Sequence, residues 1–108
     1  MRSSLQMRDW LNTWLEDHAS AAWASDAERL DDLEDVVRRL QPGTGRRWQI
    51  ERATQMTGDP GGSPGHRTVF VVSNSDDGGL YDSPSELRAR SMAGALNALE
   101  DHLKKSRG

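Results

Sequence analysis

A chain of 108 residues with 34% hydrophobic content and no cysteine has room for one modest core, and it excludes disulfides, a thiolate nucleophile and a cysteine-based zinc cluster. Its formal charge of −3 argues against non-specific attraction to nucleic-acid phosphates. No apolar run approaches the ~20 residues that span a bilayer and the N-terminus lacks a secretory apolar stretch, so a soluble, cytoplasmic protein with no membrane partner is expected.

The first element is a helix from Leu5 to Trp23. Trp10, Leu11, Trp14, Leu15, His18 and Ala22 recur at the spacing of one helical stripe. Ser25 and Glu28 then have the spacing of a capping box, which starts a second helix. Leu30, Leu33, Val37 and Leu40 form a narrow seam along it, acids crowd its first turns, and Arg38 and Arg39 complement the dipole in its last. Gln41-Pro42-Gly43 stops it. Nothing in SAAWASDA forbids one long bent helix over residues 5–40, which is the alternative.

From Arg46 the period changes to two. Trp48, Ile50, Arg52 and Thr54 fall on one side, and Arg47, Gln49, Glu51 and Ala53 on the other, which predicts a strand with one wet face. The glycines and prolines of TGDPGGSPG forgo side-chain burial and backbone donors, so a long connection follows. Gly62 to Gly65 serve as hairpin slack there, and His66 as an ordinary residue at the start of a strand. RTVFVVSN is β-branched and aromatic and predicts a strand buried on both faces; SDDGG turns the chain, and LYD forms a short third strand. A second capping box, Ser83 to Glu86 with Pro84 at the first helical position, opens a last helix that runs to about Lys105. Its apolar stripe is Met92, Leu96, Leu99 and Leu103, and Ala89, Ala93, Gly94 and Ala95 let its backbone approach the sheet closely. The expected architecture is α+β, a two-layer sandwich in the order α-α-β-β-(β)-α, with an antiparallel sheet of two or three strands packed by helices. It forms one domain over residues 1–108, with a helical part at 4–41 and the sheet plus C-terminal helix at 46–105.

No motif of a catalytic centre is present. His18, His66 and His102 lie on two predicted helices and a loop at none of the spacings of helical metal sites, and there is no nucleophile elbow, Walker loop or His-Glu-x-x-His. The expectation is a protein that is not an enzyme and uses no cofactor or metal. Charge is segregated instead: residues 24–40 hold six acids against three arginines, and residues 41–74 four arginines against two acids. Glu28, Asp31, Asp32, Glu34 and Asp35 lie off the Leu/Val seam and form a candidate surface for a basic protein partner, including a nucleic-acid channel that it would block by imitating phosphate. The competing reading is a solvated helix face. Arg46, Arg47, Arg52 and Arg67 form a modest basic patch, or simply a solvated sheet face. Trp10, Trp14 and Trp23 are core if the second helix shields the first, and otherwise a surface for a partner or a homodimer.

The stretch from Trp48 to Leu103, with GSPGHRTVFVVSN, a short hairpin and SELRARSMAGALNALEDHL, resembles a double-stranded-RNA-binding domain in its β-β-β-α half. That family carries a Gly-Pro-x-His loop, an aromatic strand and an Ala-rich helix entered through a Ser-Lys-Lys cluster. The resemblance implies Gly65 and His66 in the minor-groove loop and Ala89, Arg90, Ala93 and Gly94 at helix positions. Where the family places its lysines this chain has SPSELR, with Glu86 and only Arg88 as a cation. The α-β-β-α texture is also similar to that of small phage and prophage proteins. Two functional expectations follow. The first is a small acidic binding protein, an inhibitor or accessory protein of a phage or mobile element that occupies a surface of a macromolecular partner such as a nucleic-acid-binding protein. The second is a domain like those that bind double-stranded RNA, recognising RNA or protein through Arg46, Arg47, Arg52, His66, Arg67 and Arg88.

Overall fold

The first apolar stripe forms helix α1 (Ser4–Ala19) in the computed structural model of the protein, which describes residues 4–40, 47–57, 65–74 and 79–107. Met7, Leu11 and Leu15 are buried along it, while Trp10 and Trp14 are half-buried. The helix stops short of Trp23. A 3-10 turn (Ser20–Ala22) follows, and Trp23 is extended at φ −118° and ψ 146°. That extended residue divides the helical half in two, so the long bent helix does not occur.

Helix α2 (Asp26–Arg39) begins where the capping box places it. The Glu28 N–H donates to Ser25 Oγ at 3.2 Å, and Glu28 Oε2 accepts in turn from the Ala24 N–H at 3.2 Å. Both donors would otherwise lack a helical partner. Leu33, Val36, Val37 and Leu40 are buried and Leu30 is half-buried, so the inward face is wider than the predicted seam. Arg29 departs further from expectation. Its position in an acidic run reads as surface, yet it is 2% exposed. Its Nε donates to Asn12 Oδ1 at 2.7 Å and its Nη2 to Glu16 Oε1 and Asp26 Oδ1, both at 2.9 Å. The forked donors of one guanidinium thereby clamp α2 to α1.

Strands β1 (Gln49–Thr57), β2 (Gly65–Ser73) and β3 (Tyr81–Ser83) form one antiparallel sheet in the order β1-β2-β3. Ile50 pairs with Val72, Ala53 with Val69 and Thr57 with Gly65; on the other side Val72 pairs with Tyr81 and Phe70 with Ser83. β2 starts earlier than Arg67, which puts His66 inside the strand opposite Met56. Val69 and Val72 are buried on opposite faces of the strand, whereas Phe70 and Val71 are half-buried. Gly65, expected as the last residue of the hairpin slack, is the first residue of β2 and pairs with Thr57; the rest of that slack, Gly62 to Pro64, lies outside the described residues, as do the Gln41-Pro42-Gly43 stop, Arg46 and residues 75–78.

Helix α3 (Glu86–Arg107) is capped by a different serine from the one predicted. Ser85 Oγ accepts from the Arg88 N–H at 3.3 Å and the Ser85 carbonyl from the Ala89 N–H at 3.1 Å. Ser83 instead accepts from the Ser85 N–H at 3.1 Å, a turn that leads into the cap. Ser83 is paired with Phe70 at the end of β3 and its hydroxyl is taken by the Ser85 N–H, so capping falls to the next serine. Met92, Leu96 and Leu99 are buried along α3, with Ala89, Ala93 and Ala95 between them and Leu103 half-buried. A Cβ on Gly94 would lie 3.2 Å from Trp14 Cη2, so the close approach that this glycine serves is to an indole of α1.

The fold is α+β in the order α-α-β-β-β-α. One apolar cluster runs through it from Leu11 and Leu15 of α1, through Leu33 and Val36 of α2 and Met92, Leu96 and Leu99 of α3, to Val72 and Tyr81 of the sheet. Each fully buried leucine in it contributes about 2 kcal/mol relative to exposure.

Candidate functional site

Along the side of α1 that meets α3, Trp10, Trp14 and His18 follow one another at intervals of four, which places them on a single face. His18 is exposed and lies flat on Trp14, with ring centroids 4.1 Å apart and planes at 11°; its Nδ1–H donates to the Trp14 carbonyl at 2.8 Å. Trp10 stacks on His102 of α3 at 5.2 Å. These rings, with Gln6, Asp9, Thr13 and Asp17, line an open groove of about 480 Å³. Two half-buried indoles, each with an imidazole stacked on one face, line it together with two carboxylates. Such a surface suits a cation, because the ring quadrupole and the acids attract the same charge. The groove was legible only in part: the sequence carries the stripe, but an aromatic stripe next to Leu11 and Leu15 reads as core.

The predicted acidic face of α2 is partly committed to internal contacts. Asp32 Oδ2 accepts from the Trp23 indole N–H at 2.7 Å and from the Tyr81 hydroxyl at 2.8 Å. Burial, and then the hydrogen bond to this carboxylate, push the Tyr81 phenol above its ordinary pKa. Glu28 pairs with Arg88 at 3.0 Å and Glu34 with Arg8 at 3.2 Å. Asp35 approaches Arg38 at 3.7 Å, and Asp31 is exposed. Asp31, Glu34 and Asp35 remain on the surface; Asp32 is half-buried and joins three segments of chain.

The candidate cations are dispersed. Arg88 is turned inward, its Nε donating to the Ala22 carbonyl at 2.9 Å and its guanidinium lying 6.0 Å from the Trp23 ring. Arg47 is exposed and pairs with Asp101 of α3 at 3.1 Å. Arg52 is exposed over Phe70 at 5.9 Å, and Arg67 donates to Gln55 Oε1 at 2.8 Å. His66 is exposed beside them on the hairpin. Among the described residues no three His, Asp or Glu side chains converge as a metal site would require, and no helix is long and apolar enough to cross a membrane.

No family model, curated protein or solved structure matches the chain.

A second contact invisible to local sequence joins the first strand to α3. The Trp48 N–H donates to Asn97 Oδ1 at 2.7 Å, and the Trp48 carbonyl accepts from Asn97 Nδ2 at 3.0 Å. Beside it, Ile50, Arg52 and Phe70 of the sheet and Glu86, Arg90 and Gly94 of α3 line a second open groove, of about 530 Å³. Arg90 is held there by Glu86, its Nε donating at 2.7 Å.

Proposed function

We propose that the protein is a non-enzymatic binding protein that acts by occupying a basic surface of a macromolecular partner, and that it does so through the aromatic and acidic groove of α1. The observation that carries this reading is the pairing of half-buried Trp10 and Trp14 with Asp9 and Asp17 around one opening. Indoles concentrate binding energy because they bury a large rigid area, and a Lys or Arg side chain laid over one gains cation–π attraction as well. Flanking carboxylates add long-range attraction for a basic segment and raise its encounter rate. A nucleic-acid-binding protein offers such a basic surface, which fits an inhibitor or accessory protein of a phage or mobile element.

The test is titration with an octa-arginine peptide, followed by tryptophan fluorescence at several salt concentrations. Asp9→Asn with Asp17→Asn should weaken binding about tenfold, equivalent to roughly 1.4 kcal/mol. Asp31→Asn with Asp35→Asn removes the same charge from α2 and should change it far less. Equal losses in the two pairs would reject the groove in favour of general acidity.

A second reading, RNA recognition by the hairpin, is favoured by the exposure of Arg52, His66 and Arg67 along it. Binding of duplex RNA at low salt that is lost on His66→Ala with Arg67→Ala would select it over the first.

A further inference from the structure

Strand β1 is the outer edge of the sheet and is nine residues long. Two contacts establish which of its backbone groups point away from β2. In an antiparallel ladder the N–H and C=O of one residue point to the same side, and successive residues alternate. On β2 the Val72 carbonyl accepts from the Leu80 N–H at 2.9 Å, toward β3. Val71, Val69 and Arg67 therefore face β1, and their partners Glu51, Ala53 and Gln55 face back. Ile50, Arg52, Thr54 and Met56 direct their backbone groups to the open edge. Trp48 has the same parity, and both of its outward groups are engaged by the Asn97 amide. Asn97 thus stands where the first peptide group of an adjoining strand would be.

We propose that this edge pairs antiparallel with the same edge of a second copy of the chain, about a two-fold axis that passes through Ala53. The register follows from elimination. An axis at Arg52 or Glu51 sets a charge opposite itself, which is unfavourable. An axis at Arg52 also sends Met56 to Trp48, where Asn97 already occupies the backbone, and an axis at Thr54 carries Ile50 past the end of the partner's strand. With the axis at Ala53, Ile50 lies opposite the partner's Met56 and Arg52 opposite the partner's Thr54, and every outward group from Ile50 to Met56 is paired. On the other face Glu51 lies opposite the partner's Gln55. Arg67 reaches over Gln55 in its own copy, so a cation meets Glu51 across the interface.

Two further features fit this occupant. Met56 is 72% exposed, and in this register it comes to lie beside Ile50 of the other copy, at the groove between β1 and α3. The end of the hairpin is two-stranded and exposed at Thr54, Gln55, Met56, His66, Arg67 and Thr68, an arrangement that is marginal in water without a third strand. Pairing supplies that strand from the body of the other copy. Charges on an edge ordinarily keep strands apart; in this register Glu51 is four residues removed from its own counterpart, and Arg52 lies diagonal to its counterpart rather than directly opposite it.

Because the chain has no cysteine, one introduced thiol tests the register directly. Ala53→Cys places two thiols on the axis, with Cα atoms about 4.5 Å apart, within disulfide range. It should cross-link under mild oxidation far faster than Gln55→Cys, whose counterpart is Glu51. Sedimentation velocity of the wild type should show twice 12.0 kDa with rising concentration. Thr54→Pro removes an outward N–H and leaves the ladder to β2 intact, so it should sediment as a monomer with unchanged circular dichroism. Sedimentation at 12.0 kDa at every concentration, cross-linking of Gln55→Cys as fast as Ala53→Cys, or a folded Thr54→Pro dimer would each overturn the proposal. If Thr54→Pro fails to fold, the two cysteine variants decide alone.

Discussion

Asp32 lies in the middle of an acidic run, where a carboxylate is ordinarily dispensable, yet one of its oxygens receives both the Trp23 indole and the Tyr81 hydroxyl. Trp23 and Tyr81 are 4% and 9% exposed, so Asp32→Ala strands two buried donors. A hydrogen bond to a charged group contributes about 1.5–3 kcal/mol, and a buried donor left without an acceptor costs about 1–3 kcal/mol. Because these describe the same loss from two sides, the two bonds together set a destabilisation of about 3–5 kcal/mol. A domain of this size has roughly 5–16 kcal/mol in all, so the variant should lose at least about a fifth of its stability. Asp32→Asn keeps an acceptor oxygen and loses only the charge, for about 1–2 kcal/mol. Asp31→Ala, one residue away and exposed, should stay within about 0.5 kcal/mol. Urea unfolding followed by tryptophan fluorescence measures all three, and a midpoint shift at constant slope attributes the change to stability. Equal stability of Asp32→Ala and Asp31→Ala would mean that the bonds to Trp23 and Tyr81 contribute nothing.

Tyr81 is the sole tyrosine, so phenolate absorbance reports it alone. Its folded pKa is raised above the ordinary 10.0, so the stability it contributes is fully present below pH 10. Above pH 10 that contribution is lost at about 1.4 kcal/mol per pH unit. Phenolate should therefore appear together with loss of circular dichroism, and ionisation at pH 10 in the intact fold would contradict the burial. At Arg29, alanine should cost about 2–4 kcal/mol and lysine about 1–2 kcal/mol, since an ammonium cannot reproduce the fork to Asn12, Glu16 and Asp26. A double-mutant cycle with Asn12→Ala in urea should give a coupling of about 0.5–3 kcal/mol, and additive losses would mean that the 2.7 Å contact contributes nothing.

What the sequence made legible is what nearby residues decide among themselves. Ser25 caps α2 because its oxygen and the Glu28 N–H that donates to it lie three apart, and the β-branched run after His66 forms β2 because few other conformations accommodate it. At the last helix local spacing misleads: Ser83 and Glu86 have the spacing of a capping box, but Ser83 is paired with Phe70 in the sheet and Ser85 caps the helix. Contacts made across the chain were not legible at all. Asp32 meets Tyr81, and Trp48 meets Asn97, each over 49 residues. Nothing local separates Asp32 from Asp31, or marks Arg29 as the inward arginine. Gly94 was rightly expected to admit a close neighbour, but that neighbour is the indole of Trp14 and not the sheet. Charge is densest on α2, but contacts across the fold engage Glu28 and Asp32 there; the acids beside the half-buried indoles of α1 are Asp17 and Asp9, the latter 3.5 Å from Arg8.

The two surfaces have a joint consequence. No residue lines both the α1 groove and the groove beside β1, so edge pairing takes none of the side chains that line the α1 groove. An axis perpendicular to the sheet carries the helices of both copies to the same side, and the assembly then holds two copies of the α1 groove. A partner with two basic segments that span them binds the second as an intramolecular event, which raises avidity by about 10²–10⁴ without any new contact. Two octa-arginine segments on a long flexible linker should accordingly bind the wild type much more tightly than one segment does, whereas Thr54→Pro should bind both to the same degree per segment. Surface-immobilised protein at low density, read by dissociation rate, separates the two cases. An equal gain from linking the segments in both proteins would mean that the grooves act singly and that edge pairing has no part in binding.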